Sequence, residues 1–293
     1  MSSKPGRDIV PILALLATAF FWGLLWFPMR WLEERGMPGL WATGLLFASA
    51  LLTGAPLLWR HRGQMALQPG LLLGLALASG WCNTAFILAV LDGQVVRVML
   101  LFYLSPVWAV LLARLLLGER LPSLALLTLA LAMGGALIIL WDPSLGMPWP
   151  QGRADWLAIS SGMAFAFSNV CIRKGQELSI SLKMIVGWLG VVAVSGLLLS
   201  MGFGGHAAWS VATVTVAVVL GVVGIVLMSV FLVYGVTHMP VHRSAVILLF
   251  EVVVGAVSAQ WLAGETLGLQ EWLGGSLILG AAWLASRQQL QEK

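Results

Sequence analysis

Glu251 is the residue whose surroundings most demand an explanation. Apolar residues 246–250 precede it and 252–257 follow it. A carboxylate that deep in an apolar segment costs at least a few kcal/mol unless it is paired, hydrated or protonated. Two kinds of chemistry answer that cost. On a cavity wall the group binds an ammonium or carries a proton; between packed helices it is a protonated, hydrogen-bonded strut. Arg243 is not its direct partner, because a separation of eight residues (251 − 243) spans about 12 Å along a helix.

Other polar and aromatic residues in apolar runs raise the same question more weakly. Arg97 stands near the end of its run, where it attracts a carboxylate, snorkels to lipid headgroups or pairs with Asp92. Asn83 and Asn169 are the only asparagines in the chain, and Ser79 shares a helix face with Asn83. Such amides either glue membrane helices together or line a cavity. Trp22, Trp26, Trp81, Tyr103 and Trp108 each suit packing or anchoring, and as a group they suit an apolar, adaptable cavity. Ser105-Pro106 predicts a kink, since proline removes one backbone hydrogen bond.

No enzyme constellation accompanies these residues. His61, His206, His238 and His242 fall near segment ends, and HExxH, P-loop and GxSxG patterns are missing. No catalytic residue, metal site or cofactor is expected, nor ATP-driven pumping by this chain. The rival class is a membrane enzyme acting on lipids, which needs a polar catalytic cluster at an interface. Cys82 and Cys171 lie in apolar runs and read as small core residues. The net charge of +4 is scattered over segment ends with no basic stripe, so nucleic acid is not an expected partner.

The elements that must position these residues are transmembrane helices. Hydrophobic residues are 60% of the chain and charged ones 10%, against roughly 25% charged in soluble domains. Ten apolar runs cover 9–29, 40–59, 71–91, 95–117, 121–141, 156–172, 182–201, 211–236, 245–263 and 272–285. Each is near the ~20 residues that cross a bilayer, the last being short. Lys4 and Arg7 before the first run mimic a signal peptide, but the run exceeds the usual hydrophobic stretch of one and reads as a retained helix. The most polar linker, 142–155, divides the runs five and five. With the N-terminus in the cytoplasm, Lys4, Arg7, Arg60, Arg62, Arg114, Arg120, Arg173, Lys174, Lys183, Arg243, Arg287 and Lys293 fall on the inner side. Only Arg30, Arg35, Arg97 and Arg153 fall outside, which is the expected bias.

The two sets of five are related in sequence. Leu115-Leu116-Leu117-Gly118-Glu119 ends the fourth run and Trp261-Leu262-Ala263-Gly264-Glu265 ends the ninth, a shift of 146 (265 − 119). The same shift lays Arg97 on Arg243, Leu101-Phe102 on Ile247-Leu248, Phe21-Trp22-Gly23 on Phe167-Ser168-Asn169, and Asn83 on Ser229. Five is odd, so the second copy sits inverted, an arrangement that recurs in secondary transporters with the site at the midplane. Gly118-Glu119 and Gly264-Glu265 also have a local reading: glycine ends the helix and glutamate complements the start of the next.

Tyr103-Leu104-Ser105-Pro106-Val107-Trp108 running into Leu117-Gly118-Glu119 resembles the first-half signature of the drug/metabolite transporter superfamily, EamA type. Phe250-Glu251-Val252 running into Gly264-Glu265 resembles the second-half signature, with Val252 where the family has proline. Within that superfamily the chain looks most like the bacterial YddG-type aromatic amino-acid exporters. The resemblance implies an all-α membrane protein of ten helices, as two inverted five-helix repeats (1–141 and 156–293) around a central cavity. It implies export of amino acids, aromatic and other neutral ones, from the cytoplasm by alternating access. The alternative is export of drugs or other small metabolites. Trp22, Trp26, Asn83, Phe86, Tyr103, Ser105, Asn169, Ser229 and Glu251 are the expected substrate contacts. A monomer in the bacterial inner membrane, with both termini cytoplasmic, is the expected setting.

Overall fold

The computed structural model describes residues 9–119, 122–142, 150–263 and 268–291; for 263 and 288–291 it describes the backbone alone. Lys4, Arg7, Arg120, Lys293, residues 143–149 of the linker and the Gly264-Glu265 motif lie outside the described residues. Among the described residues the regular structure is entirely helical. The first half holds α1 (Val10–Glu34), α2 (Gly39–Arg60), α3 (Pro69–Asp92), α4a (Val95–Phe102), α4b (Ser105–Leu117) and α5 (Ser123–Leu140). The second half holds α6 (Arg153–Lys174), α7 (Ile180–Ser200), α8 from Val211 to His238, α9a (Val241–Leu248), α9b (Phe250–Ala263) and α10 (Leu269–Gln291). Nine of the described helical segments are long and apolar enough to cross a membrane. Helix α10 has the length, 23 residues, but carries Gln270 and Glu271 in its first turn.

Proline sets half of the starts. Pro38, Pro122 and Pro240 occupy the cap positions of α2, α5 and α9a, and α1, α3 and α4b each have a proline in the first turn. There the missing N–H is one the helix leaves unpaired anyway. Gly118 ends α4b at φ +67°, the left-handed conformation that a helix terminus favours glycine for. Helix α8 opens on a reciprocal Ser210–Thr213 capping box and winds as a π-helix over Leu220–Ile225.

Packing reveals the repeat more clearly than sequence does. Between the halves, the principal contacts are α3 with α6 and α7, α2 with α7 and α8, α1 with α8 and α9, α4 with α6 and α9, and α5 with α10. Exchanging every helix with the one five places along returns the same set, as a two-fold relation requires. Because each half crosses five times, the two copies are inverted.

The loops define two faces. On the basic face the end of α2 meets the start of α7 through His61–Ser181 (2.9 Å) and Ser179 N–H to Gln64 (2.9 Å). That end of the bundle also carries Arg60, Arg62, Arg114, Arg173, Lys174, Lys183, Arg243 and Arg287. On the opposite face the α1–α2 turn meets the α7–α8 loop, where Ala208 N–H donates to Gly36 C=O at 2.7 Å.

Candidate functional site at the broken helices

Helices α4 and α9 are both interrupted halfway, and their interruptions meet. In α4, Leu104 N–H bonds the Leu101 carbonyl (3.3 Å) and Val107 N–H the Leu104 carbonyl (3.0 Å), tight three-residue turns in place of α-helical ones. Pro106 withholds the donor that would continue the helix. In α9, Leu249 N–H bonds the Val246 carbonyl (3.3 Å) and Val252 N–H the Leu249 carbonyl (3.0 Å). The valine at 252 therefore does not restore a continuous helix: the tight turn satisfies the same backbone groups without proline, and Leu249 is buried.

Between the breaks lies a small cavity of about 20 Å³, walled by Trp22, Phe102, Tyr103, Ser105, Pro106, Ala109, Phe165, Ala245, Leu248, Leu249 and Glu251. Three wall positions on each half are repeat equivalents under the shift of 146: Phe102 with Leu248, Tyr103 with Leu249, and Ser105 with Glu251 (251 − 105). The pseudo-two-fold axis thus runs through the cavity. Its chemistry is not symmetric, because the carboxylate stands on one half and the phenol on the other. The Tyr103 hydroxyl donates to Glu251, holding the carboxylate across the axis. Trp22, Phe165, Phe102 and Tyr103 form a continuous arc of rings, with successive centroids 5.6, 5.9 and 5.6 Å apart. A volume of this size holds about one water, whereas small-molecule sites measure roughly 300–1,000 Å³. As it stands the cavity is too small for a metabolite, so a substrate needs the surrounding helices to part.

Each face carries its own ionic contact. On the opposite face Arg97 Nε lies 3.0 Å from both oxygens of Asp155, tying α4a to the start of α6, with Gln151 N–H also on the carboxylate at 2.8 Å. Arg97 is buried, so neither snorkelling nor pairing with Asp92 describes it; Asp92 pairs with Arg153 instead, at 3.7 Å. On the basic face Glu119 accepts from Val241 N–H (3.1 Å), faces His242 Nδ1 at 3.4 Å and pairs with Arg173 at 3.7 Å. This glutamate complements the start of α9a, 122 residues away, and not the adjacent α5 that local reading suggests. Lys183, 1% exposed, donates to the Ile172 and Gly175 carbonyls and to Thr237 Oγ1, a cation at the C-terminal end of α6.

Of the nine residues expected to contact substrate, Trp22, Tyr103, Ser105 and Glu251 lie on the cavity wall. Phe86 sits behind it, edge-on to Phe102 at 5.0 Å. Asn169 is buried, and among the described residues its Oδ1 has no hydrogen-bond partner. The remaining three are placed elsewhere. Trp26 donates to Ser258 (2.9 Å), joining α1 to α9b; Ser229 accepts from Trp188 (2.8 Å), joining α8 to α7; Asn83 donates to its own helix at the Ser79 carbonyl (2.9 Å). Sequence reasoning passed over Phe102, Phe165 and Leu248 on the wall. The repeat shift pairs Phe102 with Leu248, a signal that could have found both.

An all-helical bundle of inverted halves, with broken helices meeting at a central cavity, is the architecture of a membrane transporter. The EamA-like transporter family matches residues 9–141 and again 152–287, so the chain belongs to that family. An uncharacterized transporter of Archaeoglobus fulgidus is 27% identical over 218 residues, covering 74% of this chain and 76% of that one. An uncharacterized transporter of Pseudomonas aeruginosa is 27% identical over 187 residues, 59% of this chain and 58% of that one. One solved crystal structure shares the fold at a TM-score of 0.77 and 17% identity, over 95% of this chain and 96% of that one.

Proposed function

We propose that this chain exports small metabolites bearing an amino group and an apolar or aromatic body, aromatic and other neutral amino acids among them, as in the YddG-type exporters it resembles. The observation that carries the reading is the Tyr103–Glu251 pair on a cavity wall that also carries Trp22, Phe102 and Phe165. A carboxylate suits an ammonium group, and the rings suit the body attached to it. Alternating access follows from the inverted halves, 1–141 and 156–293 joined by 142–155, rocking about the cavity with the Arg97–Asp155 and Glu119–Arg173 contacts parting in turn. The protein works as a monomer in the bacterial inner membrane. Counterflow into proteoliposomes with radiolabelled amino acids tests the reading; a folded protein that exchanges none of them defeats it. Export of drugs or other metabolites is the second reading, favoured by the aromatic arc, and a broad substrate profile would select it.

Two outcomes follow. The basic face is cytoplasmic, because eight described Lys and Arg residues lie there against Arg30, Arg35, Arg97 and Arg153 on the other. Reporter fusions in the 142–155 linker should be external and C-terminal fusions cytoplasmic; a cytoplasmic linker reverses the assignment. Trp22→Ala should slow transport of bulky aromatic substrates about ten- to a hundredfold, as the loss of roughly 1.5–3 kcal/mol of apolar contact implies, and should affect alanine-sized ones less. Equal losses for all substrates, with less folded protein, would mark Trp22 as packing only.

A further inference from the structure

We infer that the cavity selects net-cationic amines, compounds whose carboxyl group is absent or masked as an amide or ester, over the parent zwitterionic amino acids. The inference rests on the transport reading above and narrows its substrate class.

Charge on the cavity wall is unmatched. The wall presents one carboxylate, Glu251, and among the described residues lining it there is no Lys, Arg or His. The nearby cations are engaged away from the wall: Arg97 on Asp155, Arg173 on Glu119, and Lys183 on Ile172, Gly175 and Thr237, while Arg243 is buried in the first turn of α9a with a partner of its own. An ammonium entering the cavity meets a carboxylate with lone pairs to spare, since two oxygens offer about four acceptor sites and Tyr103 fills one. It also meets ring faces, which attract cations.

A substrate carboxylate meets nothing equivalent. Helix N-termini are the usual substitute for a cation in holding an anion, and two half-helices begin at this cavity, α4b and α9b. In the first turn of α4b, Pro106 has no N–H, and the Val107 and Trp108 N–H groups bond the Leu104 carbonyl at 3.0 and 3.3 Å. The first turn of α9b contains Glu251 itself, whose charge complements that dipole and repels a second carboxylate. The Ser105 hydroxyl and the Trp22 indole N–H are neutral wall donors, and neutral donors alone do not balance a desolvated carboxylate. The same neutral donors suit an amide or ester oxygen.

The test compares matched substrates in proteoliposomes of the full chain at neutral pH, with protein-free liposomes as the baseline. The set is phenylalanine, phenylalanine amide, phenethylamine and phenylpropionate. The amide and the amine should be exchanged at least tenfold faster than phenylalanine, with phenylpropionate at baseline. Glu251→Gln, checked for monodispersity, should bring the amide and the amine down to baseline. Phenylalanine exchanged as fast as its amide overturns the inference while leaving amino-acid export standing. No exchange of any of the four by folded protein overturns the inference and the transport reading together. The wild-type comparison decides the matter even if Glu251→Gln does not fold.

Discussion

Replacing Asp155 with asparagine should destabilise the detergent-solubilised protein by about 3–5 kcal/mol, the cost of removing one partner from a buried ion pair. The pair is well shielded: the side chains of Arg97 and Asp155 are 10% and 7% exposed, and Arg97 Nε is 3.0 Å from both carboxylate oxygens. Asparagine keeps an acceptor for the Gln151 N–H but carries no charge, so the buried guanidinium loses the carboxylate charge that faces it. Joint replacement by Arg97→Met and Asp155→Leu should cost far less than either single change, because it buries no uncompensated charge. A double-mutant cycle on thermal unfolding, followed by the fraction remaining monodisperse, measures the coupling. Single-variant losses under 1 kcal/mol would mean that water reaches the pair.

Gly190→Ala is the second large effect. A Cβ at Gly190 would stand 1.8 Å from the carbonyl oxygen of Ala76 in α3, and one at Gly80 would stand 2.4 Å from the carbonyl oxygen of Gly190. Backbone touches backbone here, so no side chain can rotate away. Close approach through small residues is the main means by which membrane helices associate, since lipid supplies no hydrophobic drive between them. Overpacking of this kind costs about 1–3 kcal/mol, and the rigidity of the contact puts Gly190→Ala at the upper end. The control lies on the same helix: a Cβ at Gly196 meets nothing within 4 Å, so Gly196→Ala should be within ±0.5 kcal/mol of wild type. Equal melting temperatures for both variants would show that α3 and α7 are further apart than described.

The two faces of each helix explain what was legible. Length and composition predict ten helices, because a bilayer demands about 20 apolar residues per crossing whatever the neighbours do. The break in α4 is legible at Pro106, where covalent structure removes a donor. The break at Leu249 is not, since it depends on tight turns and burial that no single residue type announces. Glu251 is conspicuous because a carboxylate in an apolar run has few tolerable settings. Its partner Tyr103, 148 residues away (251 − 103), is visible only once the two breaks are folded together.

Trp26, Asn83 and Ser229 mark the limit of the same reasoning. All three sit at membrane depth beside residues that do reach the wall, yet they hydrogen-bond to Ser258, to the Ser79 carbonyl and to Trp188. In a soluble helix an apolar stripe against a polar one reports which side faces the core. Here lipid and protein interior are both apolar, so residue type reports depth and leaves direction open. The sequence by itself therefore determined the membrane class, the number of crossings, the duplication and the singular position of Glu251. Which residues share the cavity, which ions pair at each face and which glycines bring backbones together were decided by tertiary packing, because those depend on helix rotation and pairing that apolar surfaces on every side leave unspecified.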